Sequence, residues 1–276
     1  MVVIGLFTSP GKFHEPDYVN KLLFQWIESS GAKCKSIDYR SKALHVQLAE
    51  LDGLVFAGGA VESKHHSDEQ RNWLFEAYSN AYQFANIQNI LTHFPIMSIC
   101  LGCEMMILLK NRTRNFKLLD KVEVDEMKPV SFSIDSPLKR AFPPKVIEKM
   151  AAVPCSVQHH NLGVKVGSKL HNAFDEIGLL DLGYSDSPQG KYVNMVKDVA
   201  LPYYGIMWHP EKACNAFSKQ VALQLSKFLK LECRSKSVQN DSRPMFHMRK
   251  ASGRQVSLLR KHRSTRKRSK RRRASS

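Results

Sequence analysis

The sequence predicts an α/β fold, a three-layer sandwich in which a mostly parallel central sheet has helices on both faces. Short apolar runs alternate with amphipathic helical stretches over residues 1–110, and three of these runs end at glycine-containing turns. The chain has 276 residues, 43% of them hydrophobic, so it is long enough to bury the core of such a domain. Together, these observations favour one α/β domain with an appendage.

The N-terminal part is expected to contain a strand, a helix and a second strand. Residues 2–7 form an apolar run that ends at a Thr-Ser-Pro-Gly turn signal. A helix begins near Pro16 or Asp17 and ends at Gly31, and a second strand follows at residues 34–39. The apolar positions of this helix recur at helical spacing: Val19, Leu22, Leu23, Trp26 and Ile27.

A third strand and a longer helix follow. Residues 54–57 form a short apolar run that stops at Gly58 and Gly59. Residues 67–70 fit a capping box, which marks the start of a helix. The side chains expected on the buried face of this helix are Trp73, Leu74, Ala77, Tyr78, Ala81 and Tyr82.

A fourth strand, residues 94–99, leads to Cys100 in a glycine-containing turn, and residues 104–110 continue as a helix. The predicted β-α-β-β-α-β-α order indicates a mostly parallel sheet. In such sheets, binding and catalytic sites gather outside the carboxyl ends of the strands. We therefore expect Gly58, Gly59 and Cys100 to lie along one edge.

The second half of the domain is harder to assign. Residues 120–200 indicate shorter strands, at 130–134 and 193–196, joined by loops. A further apolar strand at residues 204–208 ends at a histidine, and a last amphipathic helix at residues 216–231 completes the domain.

The basic charge of the chain is concentrated in its C-terminal tail. We expect a domain over residues 1–231 and a tail over residues 232–276. From Arg234 onward the chain holds 16 Lys and Arg and one acidic residue, whereas residues 1–233 hold 26 basic and 24 acidic residues. The formal net charge of +17 therefore does not make the domain a nucleic-acid binder.

The tail is rich in Arg, Ser and Lys and is expected to be disordered, because it cannot bury enough apolar surface to fold. Weak, salt-dependent binding to polyanions is one interpretation. A nuclear-localisation or nucleic-acid-binding segment between Lys261 and Arg273 is the other.

Cysteine usage and hydropathy bear on the compartment. Six cysteines are scattered through a chain that is large enough to fold without disulfides. No apolar run approaches the length of a membrane span, and residues 1–7 lack the pattern of a signal peptide. The chain as written therefore predicts a location in the cytoplasm or nucleus, with no membrane partner.

Cys100, His209 and Glu211 together predict nucleophilic catalysis. A cysteine on a sharp strand-to-helix turn is held clear of the sheet, and the helix N-terminus favours its thiolate. His209 would act as base towards the thiol and as acid towards the leaving amine, and Glu211 would orient the ring. The alternative for Cys100 alone is an inert buried thiol.

Backbone amides could complete this site. The Leu101 amide can donate a hydrogen bond to a developing oxyanion, and a second donor could come from the loop at Gly58 and Gly59. Two other interpretations use the same cysteine. Cys100 and Cys103 have a thioredoxin-like spacing but no intervening proline, and a metal site with His159 and His160 would need an irregular ligand spacing.

Three strings of residues carry a resemblance to a known family. Residues 57–62, the Cys-Leu-Gly-Cys-Glu string from Cys100, and the Tyr-Gly-Ile-Met-Trp-His-Pro-Glu-Lys-Ala string at 204–213 resemble gamma-glutamyl hydrolases. That family is a branch of the class I glutamine amidotransferase-like superfamily and uses a Cys-His-Glu triad. The resemblance covers about residues 2–231 and implies Cys100, His209 and Glu211 as the triad.

The resemblance also implies a reaction and further site residues. The family cleaves gamma-linked glutamates from folylpoly-gamma-glutamates through a thioester, without a cofactor or metal. His160 resembles a histidine that lines the substrate pocket, with His159 as the competing register. Glu104 would contact substrate or cap its own helix.

Some family properties fit this chain less well. Members usually have an aromatic residue where Cys103 stands, and they are secreted, lysosomal or vacuolar. The alternative within the same reaction type is an amidase that acts on another gamma-glutamyl amine. The alternative to an enzyme is an inactive scaffold whose tail binds nucleic acid. The oligomeric state stays open as well, a homodimer included.

Overall fold

A computed structural model describes residues 1–7, 21–38, 41–59, 68–133 and 136–235. These residues form twelve strands, eight α-helices and three short 3₁₀ helices. The strands are β1 Val3–Phe7, β2 Lys33–Ile37, β3 Gly53–Phe56, β4 Ile96–Ile99, β5 Asp120–Val124, β6 Met127–Lys128, β7 Ser131–Phe132, β8 Ser156–Val157, β9 His160–Gly163, β10 Leu179–Ser187, β11 Gly190–Asp198 and β12 Tyr203–Ile206. The helices are α1 Lys21–Glu28, α2 Leu44–Ala49, α3 Asp68–Leu91, α4 Leu101–Lys110, α5 Pro144–Ala152, α6 Lys169–Asn172, α7 Phe174–Ile177 and α8 Ala216–Arg234.

Eight of these strands form one sheet in the order β2-β1-β3-β4-β12-β11-β10-β7. The first five are parallel to one another, and β11, β10 and β7 each run antiparallel to the preceding strand. Two small antiparallel pairs, β5 with β9 and β6 with β8, lie outside this sheet. The predicted α/β class with a mostly parallel sheet is confirmed.

The core is divided into two layers because side chains alternate along the buried strands. In β3, Leu54 and Phe56 pack on one face with α2, α3 and α4, whereas Val55 packs on the other with α1, α5 and α8. Helices therefore cover both faces of the sheet, as the three-layer prediction requires.

Several elements differ from the prediction. Helix α2 was missed, so the observed order is β-α-β-α-β-α-β-α. The long hairpin of β10 and β11 was also missed. Leu22 was expected on the buried stripe of α1, but it is 49% exposed, and the stripe consists of Leu23, Trp26 and Ile27. Helix α8 continues to Arg234, because Cys233 still packs against Gly53 at the start of β3.

Some predicted features lie outside the described residues. These are the start of the first helix at Pro16 or Asp17, residues 60–67 with the first residue of the capping box, and the tail from residue 236. No helix in the described ranges is both long and apolar enough to cross a bilayer.

Candidate active site

Cys100 lies in a sharp turn between β4 and α4. It is the N-cap of α4 and adopts φ 51° and ψ −112°, a conformation that residues with a side chain rarely adopt. Its N–H donates to the Ile206 carbonyl oxygen at 2.8 Å, and its own carbonyl accepts from the Glu104 N–H at 3.0 Å. Sheet and helix therefore hold Cys100 from both sides, as expected for a nucleophile on a strand-to-helix turn.

The glycine of the Cys-Leu-Gly string allows α4 to approach the sheet closely. A Cβ at Gly102 would lie 2.6 Å from the backbone oxygen of Phe56, at the end of β3. A larger residue would push the first turn of α4 away from that strand. The contact positions the Leu101 N–H, which donates a hydrogen bond to the Cys100 sulfur.

His209 follows β12, and its ring is buried beside Glu211. Its backbone N–H donates to the Val157 carbonyl oxygen at 2.8 Å. A single 3₁₀ turn, Pro210–Lys212, places the carboxylate of Glu211 against the ring. Nδ1 of His209 lies 2.7 Å from Oε1 of Glu211, and the two side chains are 7% and 1% exposed. A carboxylate at Nδ1 fixes the proton there and leaves Nε2 free to act as a base.

Gly58 lies between the predicted nucleophile and the predicted base. A Cβ built at Gly58 would lie 2.9 Å from Cε1 of His209 and 3.2 Å from Cβ of Cys100. Both side chains therefore flank the same glycine at the carboxyl ends of β3, β4 and β12. The structure thus brings together the residues that the sequence analysis grouped at this edge.

Three buried polar atoms without hydrogen-bond partners belong to residues 208–211, directly after β12. Within the described ranges, Nε1 of Trp208, Nε2 of His209 and Oε2 of Glu211 are buried and have no hydrogen-bond partner. Buried polar atoms are normally paired, so unpaired ones require an explanation. A base must keep a free nitrogen for the proton that it accepts, and Nε2 meets that requirement.

Burial is the main influence on the Cys100 thiol. It raises the pKa of this group, and the Glu104 and Glu211 carboxylates raise it further. The Leu101 N–H and the Lys212 ammonium group lower the same pKa. Because the net effect is upward, the resting group is a thiol, and it needs a base to take its proton during attack.

The two neighbouring histidines point in different directions. The His160 ring is buried against Tyr192, with Nδ1 2.9 Å from the Leu162 carbonyl oxygen and Nε2 3.0 Å from the side-chain amide of Gln158. Burial, with a smaller contribution from the nearby His209, lowers the pKa of His160 to about 4. The ring is therefore neutral at pH 7.

The side chain of His159 faces outward instead. It is 64% exposed, and its Nδ1 lies 2.7 Å from Oδ1 of Asp125. Its backbone carbonyl oxygen, however, lies 3.7 Å from the Cys100 sulfur. The sequence left open whether His159 or His160 faces the site. The structure turns the ring of His160 inward, whereas His159 approaches the sulfur only with its backbone oxygen.

The other predicted site residues surround this centre. Glu104 is 7% exposed in the first turn of α4, close enough to raise the pKa of both Cys100 and Cys103. Gly59 is exposed and ends a described stretch. Substrate contact and helix capping both stay predictions for Glu104, and the oxyanion role of Gly59 stays a prediction too.

Cys103 belongs to the core and not to the site. Its Sγ packs over Gly205, where a Cβ would come within 2.6 Å of it, and its side chain is fully buried. Burial raises its pKa well above the ordinary value. This disfavours the redox interpretation of the Cys100-x-x-Cys103 spacing, because redox-active thiols are accessible and have a low pKa.

The metal alternative can be examined for part of the chain. No group of three or more His, Cys, Asp or Glu side chains in the described ranges could hold a metal ion. His159 and His160, the histidines of that alternative, point in opposite directions as described above.

Sequence reasoning missed two residues of this region, Gln158 and Lys212. Gln158 stands two positions before His160, so in an extended segment it faces the same side, and this spacing was a usable signal. Lys212 directly follows Glu211, and its positive charge is the smallest of the influences on the pKa of the Cys100 thiol, which it lowers.

The chain is similar to known proteins over most of its described length. The family model for glutamine amidotransferase class-I matches residues 16–230. Among curated proteins, gamma-glutamyl hydrolase B of Dictyostelium discoideum is 24% identical over 76% of this chain and 62% of its own length. Gamma-glutamyl hydrolase 2 of Arabidopsis thaliana is 30% identical, over 78% of this chain and 63% of its own. The gamma-glutamyl hydrolase of Homo sapiens is 25% identical, over 71% and 61%.

The chain thus spans less than two thirds of the length of these relatives. Among solved structures, a protein assigned as a GMP synthase subunit from Thermoplasma acidophilum matches with a TM-score of 0.56 and 16% identity. The match covers 88% of this chain and 98% of the other. At that identity, the likeness supports the fold alone.

Proposed function

The chain belongs to the glutamine amidotransferase class-I family, and we propose that it is a cysteine-type gamma-glutamyl hydrolase acting on folylpoly-gamma-glutamates. The observation that carries this proposal is the buried pair of His209 and Glu211, which meets Cys100 across Gly58. The three curated relatives reported above are named gamma-glutamyl hydrolases, and these names support the type of bond cleaved.

The first half of the reaction forms a thioester. The Cys100 sulfur attacks the gamma-carbonyl carbon of a glutamyl residue while Nε2 of His209 accepts the thiol proton. Because burial keeps the resting group protonated, proton transfer accompanies attack. His209 then gives this proton to the nitrogen of the leaving glutamate as the C–N bond breaks, and Glu211 stabilises the positive charge on the ring meanwhile.

The second half regenerates the enzyme. His209 takes a proton from a water molecule, whose oxygen attacks the thioester carbon. The C–S bond breaks, the sulfur recovers its proton from His209, and the shortened substrate leaves with a free gamma-carboxylate. The Leu101 N–H stands at the N-terminus of α4 as one oxyanion donor, and the loop at Gly58 and Gly59 supplies the second.

The neutral His160 ring lies near His209 and offers a flat, uncharged wall for the substrate. Glu104 would contact the substrate from the first turn of α4. The small-molecule substrate is the partner of the domain in this proposal.

The proposal is tested by incubating the purified full chain with pteroyl-penta-gamma-glutamate and separating the products by chromatography. We expect shortened pteroylglutamates from the wild-type chain and none from Cys100→Ala or His209→Ala. The chain lengths of the early products distinguish terminal from internal cleavage. Turnover no faster than that of the two variants would reject hydrolysis and leave the scaffold interpretation.

Assays with a second class of substrate distinguish folylpoly-gamma-glutamate hydrolysis from the remaining alternative, an amidase. Small gamma-glutamyl amides without a pteroyl group should be cleaved much more slowly than the folate substrate. Turnover of these amides alone would assign the chain as an amidase for another gamma-glutamyl amine.

A further inference from the structure

The β8–β9 segment, residues 156–160, contacts both the proposed base and the proposed nucleophile. The Val157 carbonyl oxygen accepts a hydrogen bond from the His209 N–H at 2.8 Å. The His159 carbonyl oxygen lies 3.7 Å from the Cys100 sulfur, whose thiol donates to it. Two carbonyl groups of one short segment therefore bridge the two groups of the site.

The sheet alone does not fix the distance between the base and the sulfur. β12 ends at Ile206, so His209 lies three residues beyond the strand, and its N–H is bonded to Val157. The Cys100 backbone is held instead by Ile206 and by α4. A shift of the β8–β9 segment would therefore move the His209 ring relative to the sulfur. A displacement of about 1 Å at a reacting group is enough to lower a rate about 10²-fold.

A chain of buried hydrogen bonds holds the β8–β9 segment in place. The Ser156 hydroxyl donates to the Lys128 carbonyl oxygen at 2.9 Å and accepts from Nε2 of Gln158 at 2.7 Å. Oε1 of Gln158 lies 3.0 Å from Nε2 of His160, and the Gln158 N–H donates to the Glu126 carbonyl oxygen at 3.0 Å. Gln158 thus joins the two ends of the segment and ties its middle to the turn before β6.

The amide of Gln158 has one orientation that satisfies this chain. The Lys128 carbonyl oxygen can only accept, so the Ser156 hydroxyl donates to it and is left to accept from Gln158. The amino group of the amide therefore faces Ser156, and its oxygen faces the His160 ring. Ser156 and Gln158 are fully buried, and hydrogen-bond chains in such surroundings make a segment rigid. Loss of the amide would release both ends of the segment.

We propose that Gln158 is a positioning residue for the base: by fixing the β8–β9 segment, it holds the His209 ring within reach of the Cys100 thiol. This inference deepens the proposed hydrolase function and rests on it for the roles of these two groups. Gln158 is not itself catalytic, because it acts through the backbone of its neighbours.

The test measures the rate at which iodoacetamide alkylates Cys100 in the full chain at pH 7. Mass spectrometry of the digested chain reads the modification, and fragment masses separate Cys100 from Cys103. The buried thiol needs a base to take its proton, so His209→Ala gives the rate without that base. Gln158→Met keeps the length of the side chain and removes its hydrogen bonds. It should slow alkylation at least about tenfold, towards the rate of His209→Ala.

The double variant His209→Ala/Gln158→Met shows whether Gln158 acts through the base. With no base left to misplace, the second substitution should change the rate by less than about twofold. A purely structural role predicts the opposite sign, because looser packing would expose the thiol and speed its alkylation in both backgrounds. Faster alkylation, or equal slowing with and without His209, would overturn the inference.

Two further variants separate the hydrogen-bond chain from general stability. Ser156→Ala removes the next link of the chain, which contacts neither Cys100 nor His209, and should slow alkylation in the same direction. It also serves as the test if Gln158→Met does not fold. Asn89→Met is the matched control, since the Asn89 amide donates to the Ala85 and Phe94 carbonyl oxygens at 2.8 Å, near the amino end of β4. Slowing of alkylation in Asn89→Met as well would overturn the inference.

Hydrolysis of pteroyl-penta-gamma-glutamate gives a second readout. Gln158→Met should lower kcat at least about tenfold and keep KM within about threefold of wild type, because Gln158 acts on the base and not on the substrate. A raised KM with an unchanged kcat would overturn the inference, and so would an unchanged alkylation rate. Failure of the hydrolase proposal looks different: the wild-type chain would then cleave no pteroylglutamate, while Gln158→Met would still slow the alkylation of Cys100.

Discussion

Two buried carboxylates, at opposite ends of the neighbouring strands β11 and β12, have very different surroundings. Asp198, at the end of β11, is fully buried, and its Oδ2 lies 2.9 Å from Nζ of Lys110. Its Oδ1 accepts from the N–H groups of Ala200 and Leu201 at 2.9 and 3.1 Å. Glu211 lies beyond the carboxyl end of β12. Its Oε1 contacts Nδ1 of His209, and its Oε2 has no hydrogen-bond partner within the described ranges.

The difference separates groups that stabilise the fold from groups that are available for chemistry. A buried carboxylate with every oxygen paired stabilises its surroundings and has no capacity for another partner. The Glu211 carboxylate orients a ring whose own Nε2 is free, so the pair retains a reactive position and costs stability. The same contrast can be tested with pairs of variants, one at the site and one elsewhere.

The largest difference in kcat is expected between variants of two cysteines, Cys100 at the N-cap of α4 and Cys103 within that helix. Cys100→Ala should lower kcat at least about 10³-fold because it removes the proposed nucleophile. Cys103→Ala removes a sulfur atom from the core and should cost about 1 kcal/mol in unfolding free energy, with kcat nearly unchanged. Steady-state kinetics and urea unfolding measure both effects. A loss of kcat in Cys103→Ala comparable to that in Cys100→Ala would contradict this separation.

The two carboxylates should respond in opposite ways. Glu211→Gln should lower kcat about 10³-fold, because the histidine loses its orienting charge, and should leave unfolding free energy within about 1 kcal/mol of wild type. Asp198→Asn should cost about 3 kcal/mol in stability, because it breaks a buried ion pair, while the folded fraction keeps its kcat. The prediction fails if the variant that loses activity is also the one that loses stability.

Two glycines extend the comparison to the backbone. Gly58→Ala would place its Cβ 2.9 Å from the His209 ring, so the ring must shift, and kcat should fall about 10²-fold. Gly190 has φ 114° in the β10–β11 turn, and a Cβ there would meet no atom within 4 Å. Gly190→Ala should therefore cost about 1 kcal/mol of stability through backbone strain alone. Equal kcat losses in the two variants would show that Gly58 has no special position.

The smallest difference between paired variants is expected in the pH dependence of stability. Burial lowers the pKa of His160 to about 4 in the folded chain, against about 6.5 when unfolded. Between these values the unfolded chain binds more protons, so stability falls as pH falls, by about 2 kcal/mol from pH 7 to pH 5.

His160→Gln should reduce this dependence, whereas His159→Gln, at an exposed ring, should keep it. Urea unfolding of the three chains at both pH values measures the difference. An unchanged slope in His160→Gln would mean that another group is responsible.

The parallel half of the sheet could be predicted from the sequence, because β1, β3 and β4 are continuous apolar runs between turn signals. Helix α2 could not, because it has only six residues, one buried side chain, Leu48, and no side-chain cap. The β10–β11 hairpin was missed because β10 mixes Asp, Gly and Ser with apolar residues. Register shifts between Asp181 and Tyr184 also interrupt its alternation.

The site was predictable to a similar extent. Cys100, His209 and Glu211 stand in strings that end apolar strands, so their position at one edge followed from the predicted topology. The hydrogen-bond chain of Gln158 and the inward turn of the His160 ring could not be predicted, because each depends on a contact between segments far apart in sequence.

The last turn of α8 has a practical consequence. Oε2 of Glu232 lies 3.2 Å from Nε2 of His93 and 3.3 Å from the Tyr204 hydroxyl, and Cys233 packs on Gly53. Helix α8 is thus anchored beside the amino ends of β3, β4 and β12, a strand length away from Cys100. A fluorophore, surface linker or fused protein joined after Ser235 would therefore be attached at the amino ends of these strands, at the opposite end from Cys100.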